Sequence, residues 1–359
     1  MKAYVKYVIA AAVAGLGVFL FYLSAVSWGQ LLSTKDKAMF FLEQPLSVQD
    51  AEETVRKSEE EKQTDSEGDG TETMPEFCIW GQKDAVTLTN KNLFREAQAN
   101  AILLCGNPEV LFEDCRLPAR KDSQGCLIDE AVAWELFGST QVVGKEISYD
   151  GKSYVVRNVI AGENMIFAFQ VSKAAKSTQE QTEESNSLNR ITMQKPEDQS
   201  IVDLSAAWGN RYGMEVTVLD VELLRGIGGF CVLPLPITLC ICFLCYLFHE
   251  WRQQKKLALK IVLAAFILAI IFCLFVLFQS YVRIPDDYIP TRWSDFSFWT
   301  LLWEQKREAL RMLVQMPKAD LDAGWIQAFV RTLAFGVLAE MAFFLWFGVC
   351  LLSKLVQRK

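Results

Sequence analysis

Gly151-Lys152-Ser153 carries the residue types that end a phosphate-binding loop, in which backbone amides and a lysine cradle the phosphates of a nucleotide. The spacing does not fit. Such a loop needs a glycine where this chain has Glu146, and the nearest glycine is Gly144. Asp150-Gly151 stands between two β-rich runs and reads instead as a hairpin turn, because both residues tolerate the positive φ of a tight turn. Other chemistry is equally constrained. The single histidine, His249, lies outside the large hydrophilic segment, and no Cys-x-x-Cys occurs within it. That leaves no Ser/His/Asp set and no metal-ligand spacing, and the carboxylates crowd into polar linkers rather than apolar surroundings. No catalytic, cofactor-binding or metal-binding residue is assigned.

The ten cysteines divide into two groups. Cys231, Cys240, Cys242, Cys245, Cys273 and Cys350 lie in apolar runs, where cysteine packs as a small apolar residue. Cys78, Cys105, Cys115 and Cys126 lie in the hydrophilic segment, and four thiols allow three pairings. Cys115 and Cys126 bracket RLPARKDSQG and are the pair whose bond would close that loop. One more residue stands out. Glu340 is a lone acid in an otherwise apolar run, and it admits two readings: a switch, or a protonated acid hydrogen-bonded to a neighbouring helix.

The elements that hold these residues follow from the apolar runs. Residues 7–34, 226–248, 261–282 and 332–353 each reach the ~20 apolar residues a helix needs to cross a bilayer. The first run is too long for the core of a signal peptide, and SAVSWGQ is a poor cleavage site, so it reads as an anchor. Four membrane helices are expected, at 7–30, 226–248, 261–282 and 332–353. With both termini cytoplasmic, the inside segments 1–6, 249–260 and 354–359 hold nine Lys/Arg against one acid, Glu250, which satisfies the positive-inside rule. Gly228, Gly229, Pro234 and Pro236 in the second helix suggest a bend that serves as a hinge or a static kink.

Outside the membrane, 31–76 is expected to be a stalk, helical to about Arg56, followed by an acidic flexible linker over 58–74. An α+β domain should occupy 77–222. Its expected elements are strands in AVTLTN and ANAILLCGN, the helix EAVAWELF capped by Asp129 and ended by Gly138, and strands KEISY and KSYVVRNVI. A polar loop over 172–187, LNRITMQ, a helix near 199–212 and MEVTVLDVE complete it. The second outer loop, 283–331, carries Trp293, Phe296, Phe298, Trp299, Leu302 and Trp303, then charges, then Leu310, Leu313 and Met316. That pattern reads as an amphipathic helix at the membrane–water boundary or as one packed on the stalk.

A helix ending in A..LFGS, then VVGKEI, a turn and Y.VRNVI, preceded by GNPEVLF, resembles the periplasmic core domain of MacB-type ABC transporter permeases. The resemblance is specific over 106–160. One membrane helix before the domain and three after it are the layout of MacB, FtsX and LolC/LolE. It implies an α+β extracytoplasmic domain on a four-helix transmembrane domain, in a bacterial cytoplasmic membrane. It also implies a homodimer or heterodimer with a second permease, and ATP hydrolysis in a separate cytoplasmic ABC ATPase subunit. The chain itself is then not an enzyme; its partners are that ATPase, a permease and lipid, with no nucleic acid and no cofactor. Glu250, Trp251, Arg252, Lys255 and Lys256 fall where this family contacts its ATPase. Members drive efflux of drugs or peptides; the alternative is an FtsX-like or degenerate permease acting as an extracytoplasmic sensor or scaffold without transport. The loop HEWRQQKKLALK is short and lacks the glycines of FtsX-like members, and that favours the sensor or scaffold.

Overall fold

A computed structural model describes residues 2–65, 74–112, 122–171, 187–196, 199–281 and 297–357. In chain order the elements are α1 (Lys2–Leu32), β1 (Lys37–Leu46), α2 (Val48–Asp65), β2 (Phe77–Asn90), β3 (Arg95–Gly106), β4 (Gly125–Asp129), α3 (Glu130–Phe137), β5 (Glu146–Tyr149) and β6 (Lys152–Ile160). They continue as β7 (Ile166–Gln170), β8 (Leu188–Gln194), α4 (Ile201–Tyr212), β9 (Thr217–Leu219), α5 (Val221–Val232), α6 (Pro234–Gln253), α7 (Leu257–Tyr281), α8 (Ser297–Gln315) and α9 (Asp320–Gln357). The chain divides into a helical unit (Met1–Lys35, Val221–Leu302, Ala323–Lys359) and a mixed domain (Asp36–Asp220, Trp303–Asp322).

In the mixed domain the strands pair in the order β3-β7-β4-β6-β5-β2-β8-β1-β9, and β2 pairs again with β3. The pairings therefore close a ring, β2-β3-β7-β4-β6-β5-β2, from which β8, β1 and β9 extend. Two pairs are parallel, β3 with β7 and β4 with β6; the others are antiparallel. The length of β2 makes this possible. Its first residues, Phe77–Trp80, pair with β8, while Thr89 near its end pairs with Ser148 of β5.

Local rules account for α3 and α4. Asp129 accepts from Val132 N at 2.9 Å, and Gly138 at φ 69° donates to Trp134 O, so α3 is capped at both ends as its sequence demands. Ser200 and Gly213 do the same for α4. Trp208 of α4 is fully buried edge-on to Phe77, with ring centroids 4.9 Å apart.

The stretch expected as stalk and linker differs. The first helix stops at Leu32, where Thr34 donates its amide and hydroxyl to Leu31 O. The alternating run from Lys37 then enters the sheet as β1, with Phe40 fully buried. Ser47 accepts from Asp50 N and starts α2, which continues to Asp65 through half of the expected linker. Small residues make that helix hard to read. Its buried face is Ala51, Thr54 and Ser58, and Glu61 reaches Arg211 of α4 at 3.1 Å. The rest of the expected linker, 66–73, and the polar loop over 172–186 lie outside the described residues.

Among the described residues, the helical unit contributes most of four helices long and apolar enough to cross a membrane, Val8–Leu32, Val221–Gln253, Leu257–Val276 and Asp320–Gly348. Within the unit α1, α5 and α9 meet at small residues. Ser24 donates to Thr332 O at 2.9 Å, and a Cβ on Gly336 would stand 3.2 Å from both Cys231 O and Ser24 Oγ.

Candidate functional site at the start of the last helix

Asp320, Leu321 and Asp322 begin α9 but belong to the mixed domain. Both acids stand in the first helical turn, where the partial positive charge of the N-terminus favours them. Asp322 Oδ2 accepts from Ala319 N at 3.2 Å, the back-bond of a capping box. The same carboxylate is 2.9 Å from Arg190 Nε of β8. The pair is buried, Arg190 at 4 % and Asp322 at 2 % exposure.

The sheet satisfies the remaining guanidinium. Arg190 donates to Asn189 Oδ1 at 3.1 Å and to Pro317 O, and lies over the rings of Trp80 (5.1 Å) and Phe41 (5.8 Å). Trp80 of β2 is fixed in turn by donating to Thr192 Oγ1 at 3.0 Å. Beside it, Gln82 accepts from Asp320 N at 2.8 Å and donates to Asp320 Oδ2 at 3.1 Å. Asn100 of β3 donates to the same oxygen at 2.5 Å. Three strands thus hold two residues of the last helix, Asp320 and Asp322.

A second ion pair lies within the same domain. Lys306 of α8 reaches Asp220 Oδ2 at 2.6 Å, both largely buried, and Asp220 is the residue between β9 and α5. Chain continuity makes this edge a junction: β1 follows α1 after four residues, β9 precedes α5 by one, and the clamp holds the start of α9. What the arrangement does is tie the first turn of α9 to β8, β2 and β3 within the mixed domain. Among the described residues no group of three or more His, Cys, Asp or Glu could hold a metal ion.

The residues singled out in the sequence lie elsewhere. Glu250, Trp251 and Arg252 form the last turn of α6, and Lys255 and Lys256 sit in a three-residue connection to α7 rather than in a longer loop. Trp251 stacks on Phe248 at 5.8 Å and carries Lys260 Nζ 5.5 Å over its ring. Gly228 and Gly229 pack under an indole: a Cβ at either would stand 3.2 Å from Trp28. Pro234 opens α6, and Leu233 between the two helices keeps a helical φ of −70°. Glu340 is half-buried in α9. Cys126 is buried at the start of β4; Cys115 lies outside the described residues.

Arg157 beside Asp122 holds that carboxyl below its ordinary value of 3.8, and the Gln124 and Gly125 amides act the same way. Arg157 Nε is 2.7 Å from Asp122 Oδ2, and the turn they fix leads into Cys126. A depressed carboxyl stabilises the fold above its unfolded value, and that contribution is lost as pH falls through the folded value. Asp122→Ala should therefore lower the melting temperature at neutral pH, with the deficit closing on acidification below the ordinary carboxylate range. Melting curves from pH 7 downward check this; a deficit independent of pH would assign the loss to the turn rather than the charge.

No protein-family model matches the chain, and no curated protein matches it. Among solved structures it is similar to the periplasmic region of MacB from Actinobacillus actinomycetemcomitans, at 12 % identity and a TM-score of 0.38, over 53 % of this chain and 91 % of that one. It is also similar to the extracellular domain of the noncanonic ABC-type transporter YknZ from Gram-positive bacteria, at 15 % identity and a TM-score of 0.34, over 51 % and 100 %. Similarity at this level assigns no function to the chain.

Proposed function

We propose that this chain is the permease subunit of a MacB-like ABC system in a bacterial cytoplasmic membrane. It passes ATP-driven motion from a separate cytoplasmic ATPase to an extracytoplasmic domain, for efflux of drugs, peptides or lipophilic substrates. The chain works as a dimer with itself or a second permease, with both termini cytoplasmic. The observation that carries this is the clamp: Arg190 and Asp322 bury a full charge pair to fix the start of α9 on the sheet. Burying charge is expensive, and the geometry suits an element that must not slip under load. The sequence resemblance over 106–160 and the positive-inside bias support the same conclusion.

The test is purification from native membranes in mild detergent with an ATPase assay. A stoichiometric ATPase is expected. Charge reversal at Arg252, Lys255 and Lys256, with Trp251→Ala, should lower coupled hydrolysis on the order of tenfold, the scale of an ordinary coupling energy. Absence of an ATPase would favour the second reading, an FtsX-like or degenerate permease acting as a sensor or scaffold without transport. The three-residue, glycine-free connection between α6 and α7 is the observation on its side.

A further inference from the structure

α8 has more apolar surface than its packing uses. Leu302, Leu313 and Met316 at its C-terminal end are buried, and Lys306 is tied to Asp220. Beside that buried face runs a second stripe. Trp299 is 51 % exposed, Trp303 69 % and Val314 71 %. At 3.6 residues per turn these three lie within about 60° of arc. Arg307 and Arg311 follow within the next ~60°, both exposed. One edge of the helix thus carries two tryptophans flanked by Arg307 and Arg311, the latter 3.9 Å from Glu308.

We infer that this edge of α8 lies in the outer lipid–water interface, with the tryptophans at headgroup depth and Arg307 and Arg311 against lipid phosphates. Charge and shape favour lipid over a second copy of the chain. An indole has an apolar body and a polar N–H, which suits the interfacial layer, and the arginines complement the anionic phosphates there. The helix also lies in the chain between two apolar spans, α7 and α9, so it is tethered to one side of the bilayer from both ends. The buried face and the lipid edge are adjacent on one cylinder.

This inference rests on the four apolar helices being membrane spans, and the experiment separates the two. The full chain is placed in nanodiscs of phosphatidylcholine and phosphatidylglycerol containing a lipid with a diazirine near its headgroup. After illumination, labelled peptides are mapped by mass spectrometry. Label is expected on 297–306 and on α7, with several-fold less on peptides of the mixed domain. Trp299→Ser with Trp303→Ser should reduce the α8 label several-fold and leave α7 unchanged. Should that variant not fold, the distribution of label in the unaltered chain decides. Label on α7 but none above the domain background on 297–306 overturns the interfacial position while leaving the spans intact. No label on either removes the spans and the interfacial helix together.

Discussion

Asp322→Ala is expected to destabilise the mixed domain by about 3–5 kcal/mol, the cost of leaving a buried charge without its partner. Arg190 cannot recover by turning to water, because Trp80 and Phe41 lie against its guanidinium and it is 4 % exposed. The substitution also strips the Ala319 amide of its acceptor at the start of α9. Arg190→Met alone should cost somewhat less, since the carboxylate left behind keeps that amide. Combining Arg190→Met with Asp322→Leu should recover most of the stability, because apolar replacement of a buried pair is often neutral or better. Denaturant unfolding of the purified chain in mild detergent measures all three. A loss below about 1 kcal/mol for Asp322→Ala would mean the pair is wet and the clamp is not a clamp. The double variant then separates stability from coupling. If the charges serve only to hold α9, coupled ATP hydrolysis returns with stability; if their directionality transmits motion, it does not.

The parts of the domain that were legible before the structure are those built from neighbours in sequence. Asp129, the apolar face of α3 and Gly138 lie within ten residues of one another, so cap, helix and stop can be read together. The same holds for β5 and β6 around Asp150-Gly151, where both turn residues take positive φ. Strands β4 and β7 escaped because every one of their residues is buried, so GCLID and IFAFQ show no alternation to mark a strand. Helix α2 was legible only to about Arg56; the rest of it escaped because its buried residue there is Ser58, too small and polar to register as a hydrophobic face.

The clamp was illegible on other grounds. Arg190 reads as an ordinary polar position in LNRITMQ, and Asp322 as one more acid in a hydrophilic loop. Their sequence separation is 132 residues, and no local rule joins them. The one local clue is the pair Asp320 and Asp322, which stand where a helix N-terminus favours acids. That clue would have started the last helix a dozen residues earlier than its apolar run does, inside the domain rather than at the membrane.

Gly81→Ala should cost about 3 kcal/mol, the upper end for overpacking, without touching any charged residue of the clamp. A Cβ there would stand 2.2 Å from Ser187 O and 3.1 Å from Leu188 Cα. Both obstacles are backbone, so no rotamer change relieves them, and either β2 or the start of β8 must move. Gly81 lies between Trp80, which faces Arg190, and Gln82, which holds Asp320. Displacing β8 by the fraction of an ångström that relieves the clash therefore pulls Arg190 away from Asp322. The two substitutions should then be non-additive: Gly81→Ala with Asp322→Ala should cost less than the two singles together, by about 0.5–3 kcal/mol. Additive losses would show that β8 stays in register and that the strain is absorbed elsewhere in β2. A shortfall would place the glycine in the clamp. Its role would be to let β8 approach closely enough for an arginine on one strand to reach an aspartate in the first turn of the last helix.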